Sequence, residues 1–138
     1  MRFWLLAAGL LPALVVWLRR TYSIIRVDGY SMAPTLVDGD RLLARKASPS
    51  DLRRGQIAVV TNPLEIGERF LIKRIAALPG DLVPEAARAA SAVDRVPAGR
   101  LVLLGDNTNA SFDSRDHGFF QMSDIHAITI RKMMPGKE

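Results

Sequence analysis

A chain of 138 residues, with nineteen Lys and Arg against fourteen Asp and Glu and a formal net charge of +5, has room for one domain with a short appendage and none for a multidomain machine. Apolar residues make up 49% and charged residues 24%, which calls for a buried core and excludes wholesale disorder. The absence of cysteine excludes disulfides, thiol nucleophiles and cysteine-held metal centres, and His117 and His126 alone are too few for a histidine metal site.

The positive charge is concentrated at one end. Arg2, Arg19, Arg20 and Arg26 lie in residues 1–26 without an acid, which leaves residues 27–138 a net +1. A nucleic-acid binder would carry its excess on the folded domain. Here the bases flank an apolar run, which points to a membrane surface and away from nucleic acid. That run, Phe3 to Leu18, is uncharged and covers about 24 Å as a helix, a little under a hydrocarbon core of about 30 Å. Arg2 and Arg19–Arg20 are placed to snorkel, and Trp4 and Trp17 sit where an aromatic belt would put them. A cleavable signal peptide would need a small-x-small site, and Trp17-Leu18-Arg19-Arg20 does not offer one. A buried core helix would show a polar stripe. An uncleaved single-pass anchor over residues 1–22 is therefore expected, with residues 23–138 as the second unit. Charge bias by itself favours a cytoplasmic side for the chain beyond Arg19 and Arg20.

From Ser23 onward short apolar runs alternate with Gly, Pro and Asp punctuation. Strands are predicted at Ile24–Val27, Arg41–Ala44, Ile57–Thr61, Phe70–Ala76, Leu101–Leu104 and Ile125–Ile130. The pattern reads as mainly β, a coiled sheet or partial barrel, with at most a short helical turn in Glu85–Ala92.

Three segments hold candidate chemistry. In Asp28-Gly29-Tyr30-Ser31-Met32-Ala33-Pro34-Thr35-Leu36, a glycine and a proline frame Ser31, so that its hydroxyl is held on a rigid turn; an ordinary loop serine is the alternative. In Phe70–Asp81, strand alternation puts Leu71, Lys73 and Ile75 on one face and Phe70, Ile72 and Arg74 on the other. If the first face is the core face, the Lys73 ammonium is desolvated, its pKa falls, and it can serve as a general base. The alternative is a solvated edge lysine that discourages strand pairing. The third segment, Gly105–Gly118, is dense in Asp, Asn and Ser; its spacing is not that of an EF-hand, and a loop built on Asx turns is the alternative to a functional one. A serine and a lysine without a usable Cys or His partner suggest a Ser–Lys dyad, with Ser111 as the candidate to hold the amine by a hydrogen bond.

In this order the three segments resemble the boxes of the type I signal peptidases, membrane-bound serine–lysine endopeptidases. Ser31-Met32-Ala33-Pro34-Thr35-Leu36 is similar to the nucleophile box. Lys73-Arg74-Ile75 with Pro79-Gly80-Asp81 is similar to the lysine box. Gly105-Asp106-Asn107, Ser111 and Asp113-Ser114-Arg115 are similar to the C-terminal box, and the likeness spans about residues 3–130. The resemblance implies Ser31 as nucleophile, Lys73 as general base and Ser111 as the residue that orients it. It implies an ionic framework of Asp113, Arg115 and Arg74, and the Ser31 backbone N–H as an oxyanion donor. It further implies no metal or other cofactor, an extracytoplasmic domain lying on the bilayer, and an N-terminal leader peptide of a precursor protein as substrate. That peptide would be extended, with small residues at the first and third positions before the cut, and bound by strand addition.

Gly29 stands where some members carry a serine whose hydroxyl completes the oxyanion hole. Gln56 stands where an aspartate is usual, which predicts a weaker turn contact. Residues 82–100 are short where larger members insert a subdomain. The compact size keeps a dedicated maturation protease in play, such as those resembling the nickel-type superoxide dismutase proteases or the mitochondrial inner-membrane peptidases. A self-cleaving repressor would need a DNA-binding helix pair where the apolar run lies, and an inactive peptide-binding module would lack Ser31 or Lys73. The sequence leaves the oligomeric state open.

Overall fold

The computed structural model describes residues 3–133, without the side chains of residues 3–7. Arg2, and the Trp4 side chain expected at one membrane interface, lie outside the described residues.

Helix α1, Phe3–Thr21, takes the apolar run and carries Pro12 inside it. Leu10, Leu11, Leu14, Val15, Val16, Trp17 and Leu18 are all exposed, so none of the described residues covers this stretch. Among the described residues no helix is long and apolar enough to cross a membrane.

The chain leaves α1 directly into β1, Tyr22–Arg26, and continues through β2, Arg41–Lys46, β3, Ile57–Thr61, and β4, Phe70–Ala77. A single turn α2, Glu85–Arg88, precedes β5, Arg100–Leu104; a second turn α3, Ser114–His117, precedes β6, Phe120–Gln121, and β7, Ile125–Met133. The predicted runs are all strands, each within about three residues of its expected ends. Two elements leave no mark in the sequence pattern. Strand β6 is only two residues long, and α3 is a four-residue turn capped by Asp113, so neither offers a period to detect.

The seven strands form one antiparallel sheet in the order β1-β2-β7-β3-β4-β5-β6. Register shifts in β2–β7, β3–β7 and β4–β5 mark bulges, which coil the sheet into a partial barrel. One core layer gathers Ala58, Val60, Ile75, Leu101, Leu103 and Phe120, with Leu71 against it. A second layer joins Ile72 of β4 to Val27, Met32 and Leu36 of the loop after β1. That second layer fixes the loop holding Ser31 against the strand holding Lys73.

Candidate active site

Ser31 sits in the turn that follows β1. Gly29 enters it at φ +85°, a left-handed backbone that side-chain-bearing residues resist, and its N–H donates to Asp38 Oδ1 at 2.8 Å. A serine at position 29 would be strained, so the oxyanion donor some family members carry there is not available on this backbone. The Ser31 N–H donates to no acceptor among the described residues. Asp40, almost fully buried, ties the far end of the loop down: it accepts from Val37 N at 2.9 Å and pairs with Lys132 Nζ at 2.7 Å.

Lys73 is 3% exposed, which settles the choice between core and solvent face for this lysine. It lies opposite Ala58 of β3, and Ile75 on the same face is fully buried. No ion pair among the described residues includes Lys73. Burial pushes its amine below the usual lysine range; the Asp113 charge opposes that shift and the Arg115 charge adds to it.

The meeting point of the three segments is Gly105. The β4–β5 register pairs Arg74 with Leu104, and one step further brings Gly105 alongside Lys73. A Cβ on Gly105 would fall 2.0 Å from Ser111 Oγ and 2.6 Å from the Ser31 carbonyl oxygen. Only glycine lets the Ser31 turn, Ser111 and the end of β5 approach so closely. Asn107 locks the contact from the other side. Its backbone N–H donates to the Ser31 carbonyl at 2.9 Å, and its Nδ2 donates to the Tyr30 carbonyl at 3.0 Å.

Ser111 differs in one respect from the expectation. Its hydroxyl donates to Asp113 Oδ2 at 2.8 Å, and among the described residues no hydrogen bond joins it to the Lys73 amine. The oxygen keeps its lone pairs, so towards a neutral amine it can act only as an acceptor. Asp113 is fully buried and also accepts from Gly105 N at 2.7 Å and from both the backbone and the guanidinium of Arg115. Burial alone would raise its carboxyl pKa, but the Arg115 guanidinium and the backbone donors outweigh it and hold the pKa at about 2. Arg115 closes the clamp by donating to the Gly105 carbonyl at 3.0 Å.

Arg74 does not join that framework. It forms a separate two-pronged pair with Asp106, Nε to Oδ1 at 2.9 Å and Nη2 to Oδ2 at 2.7 Å, and donates to the Gly55 carbonyl at 2.7 Å. Thr35 Oγ1 donates to the same Asp106 carboxylate at 2.6 Å, so Asp106 ties the nucleophile-box loop to β4. The sequence assigns no individual role to Asp106, Asn107 or Asp40. The adjacency of Asp106-Asn107 to Gly105 is the available signal, but its meaning depends on pairs 32, 71 and 77 residues apart. The turn before β3 also departs from expectation. Gln56 Oε1 accepts from Arg53 N at 2.7 Å, so glutamine makes the contact expected to be weak there.

Ser31 and Lys73 line one groove of about 490 Å3. One wall is β1 and the residues just after it, Ile24–Asp28; the other is the first half of β4 with Glu68 and Arg69 before it. Among the described residues β1 pairs only with β2, and β5 joins β4 only from Arg74 onward, so both walls present strand edges without a ladder partner there. Backbone donors and acceptors thus face each other across an apolar trough, a geometry suited to an extended chain. Among the described residues no group of His, Cys, Asp and Glu is arranged to hold a metal ion.

The family model described as "Signal peptidase, peptidase S26" matches residues 1–89 and 84–133, and the chain belongs to this family of peptidases. Among curated relatives, mouse mitochondrial inner membrane protease subunit 2 is 32% identical, covering 90% of this chain and 74% of its own. Subunit 1 of the same protease from Schizosaccharomyces pombe is 30% identical over 83% of this chain and 74% of its own. Signal peptidase I V of Bacillus subtilis is 28% identical over 92% of this chain and 95% of its own. Among solved structures, a signal peptidase I from Enterococcus faecalis overlaps 56% of this chain and 96% of its own, at 20% identity and a TM-score of 0.46.

Proposed function

We propose that this protein is a membrane-anchored endopeptidase that uses a Ser31–Lys73 dyad to remove N-terminal leader peptides from precursor proteins. The single observation carrying the proposal is a lysine, 3% exposed and without an ion-pair partner among the described residues, lining the same groove as a serine on a rigid turn. The leader lies extended in the groove and adds backbone hydrogen bonds to the free edges of β1 and β4. Lys73, held neutral by burial, takes the Ser31 hydroxyl proton as Oγ attacks the scissile carbonyl. The oxyanion is met by the Ser31 N–H; a single such donor is worth about 3 kcal/mol in other enzymes. The Lys73 ammonium then protonates the leaving amine, and water, deprotonated by the same amine, releases the acyl group from Ser31. With its proton held by Asp113, Ser111 offers the Lys73 amine an acceptor that would aim the nitrogen lone pair at Ser31. The exposed apolar stretch of α1 supports a membrane anchor, and the family supports an extracytoplasmic domain.

Ser31→Ala and Lys73→Ala are each expected to abolish cleavage of a leader-bearing precursor while leaving the circular dichroism spectrum and urea midpoint near wild type. Turnover by either variant at the wild-type rate overturns the dyad. A second reading, a peptidase of mitochondrial inner-membrane type or one dedicated to a single partner, is favoured by the compact 82–100 segment and the similarity to both inner-membrane protease subunits. Comparing protein N-termini in cells with and without the chain separates the two: many retained leaders indicate a general enzyme, and one indicates a dedicated one.

A further inference from the structure

Beside the substrate groove lies a second, smaller cleft of about 180 Å3 that the peptidase chemistry does not use. The last turn of α1 contributes Arg19, Arg20 and Thr21, the start of β1 contributes Tyr22 and Ser23, and Lys46 and His126 close it from β2 and β7. Three cations, Arg19, Arg20 and Lys46, therefore border one hollow, with the hydroxyl-bearing Thr21, Tyr22 and Ser23 beside them. None of the three cations has an acidic partner within ion-pair distance among the described residues. Like charges do not gather in this way for the stability of the fold, because their mutual repulsion opposes it. They gather where an anion is to be met, and the mixture of guanidinium, ammonium and hydroxyl donors suits phosphate oxygens.

Location selects the source of the anion. The cleft is continuous with the exposed apolar face of α1, where Leu18 is 41% and Trp17 55% exposed. Trp17 also meets Tyr22 edge-on, with ring centroids 6.3 Å apart, which puts two amphipathic rings at the junction of helix and cleft. An apolar helix that ends in an aromatic pair and a basic hollow matches the layers of a membrane: hydrocarbon, interface, headgroup.

We propose that the cleft formed by Arg19, Arg20, Lys46 and His126 takes the phosphate of an anionic lipid headgroup. The inference rests on α1 lying in the bilayer, and it fixes how the domain sits on the surface. His126 stacks on Phe70 at 4.7 Å, and Phe70 lines the substrate groove, so a headgroup in the cleft holds the groove next to the lipid surface. It also gives the arginines after α1 a task other than retaining this side in the cytoplasm.

The test is partition of the full-length chain between buffer and vesicles at physiological ionic strength. Vesicles of phosphatidylcholine are compared with the same vesicles containing phosphatidylglycerol, for wild type, Lys46→Gln and Arg131→Gln. Arg131 is an exposed cation towards the opposite end of β7, so it controls for net charge. Lys46 lies outside α1, so its replacement leaves the helix unchanged. The expected result is preference for the anionic vesicles, reduced about fivefold by Lys46→Gln and unchanged by Arg131→Gln. Equal loss in both variants would reduce the cleft to a diffuse field and overturn the proposal. Equal binding of wild type to both vesicles would overturn it while leaving the anchor in place, whereas binding to neither would remove the anchor itself. The preference for anionic vesicles should be lost to inorganic phosphate but not to chloride at matched ionic strength; equal loss to both salts would leave only a diffuse field and overturn the proposal.

Discussion

The chemistry proposed for Lys73 depends on one property, an amine that is neutral near the working pH. Burial supplies it, because removing water penalises the ammonium more than the amine. The Asp113 charge pulls the other way, and it is blunted because Arg115 already neutralises that carboxylate. As pH rises the fraction of free base rises, so kcat/KM should climb with pH and level off below the ordinary lysine value of about 10.4. A pH–rate profile of the free enzyme checks this; an ascending limb centred at the ordinary value would mean that burial does not act on the group in solution. Ser111 belongs to the same scale. Its proton is committed to Asp113, which leaves an acceptor for the amine, so Ser111→Ala should lower kcat on the order of a hundredfold with little change in KM. Ser111→Thr, which keeps the hydroxyl, should restore most of that loss, and Ser111→Gln should not. These residues were partly legible in advance: period-two alternation put Lys73 on the face of Leu71 and Ile75, and that face proved to be the core face. The direction of the Ser111 hydrogen bond was not legible. A hydroxyl is donor and acceptor alike, and only the position of Asp113 decides which role it takes.

At the scale of elements, the site is a junction between the end of β5, the loop after β1 and the middle of β4. Gly105 is the point of closest approach, so Gly105→Ala should be far more damaging than a methyl group suggests. The new Cβ would overlap Ser111 Oγ and the Ser31 carbonyl, and both are backed by buried structure. Loss of at least about 2 kcal/mol in urea denaturation is expected, with cleavage reduced beyond what the lost fold explains. Asp113→Asn tests the clamp beneath it. It leaves the Arg115 guanidinium largely buried without its counter-charge and should cost about 3 kcal/mol, again by urea midpoint. The sequence announced that Asp113, Arg115 and Arg74 were charged neighbours of a site, but not who pairs with whom. Two ion pairs form instead of one network because β4 points Arg74 and Lys73 to opposite faces of the sheet. Arg74 therefore finds Asp106, and Arg115 keeps Asp113.

At the scale of the whole molecule, the two buried carboxylates make the fold acid-sensitive in a defined window. Asp113 titrates at about 2 in the folded protein, and Asp40 is also held below the usual carboxylate range by its hydrogen bonds to Lys132 and Val37 N. A folded-state pKa below the unfolded one, about 3.9, means stability is fully present above that value and lost as pH falls through it towards the folded value. Asp113 alone should contribute about 2 kcal/mol that disappears between about pH 4 and pH 2, measured as the pH dependence of the urea midpoint. Asp113→Asn should flatten that dependence as well as lower the plateau. A flat wild-type profile through this window would mean that the clamp does not hold in solution.

The sequence by itself determined the apolar run and the basic residues that close it, the strand runs, the absence of thiol chemistry, and the membership of Ser31 and Lys73 in recognisable local patterns. Each of these is local: apolar period, turn chemistry and composition are written within a dozen residues. Tertiary structure alone decided that Lys73 is dry, that Ser31 and Ser111 converge on Gly105, that Arg74 pairs with Asp106, and that Arg19, Arg20, Lys46 and His126 form a basic cleft beside the end of α1. Those facts depend on how a coiled sheet brings together residues tens of positions apart, and no local pattern encodes the distance between them.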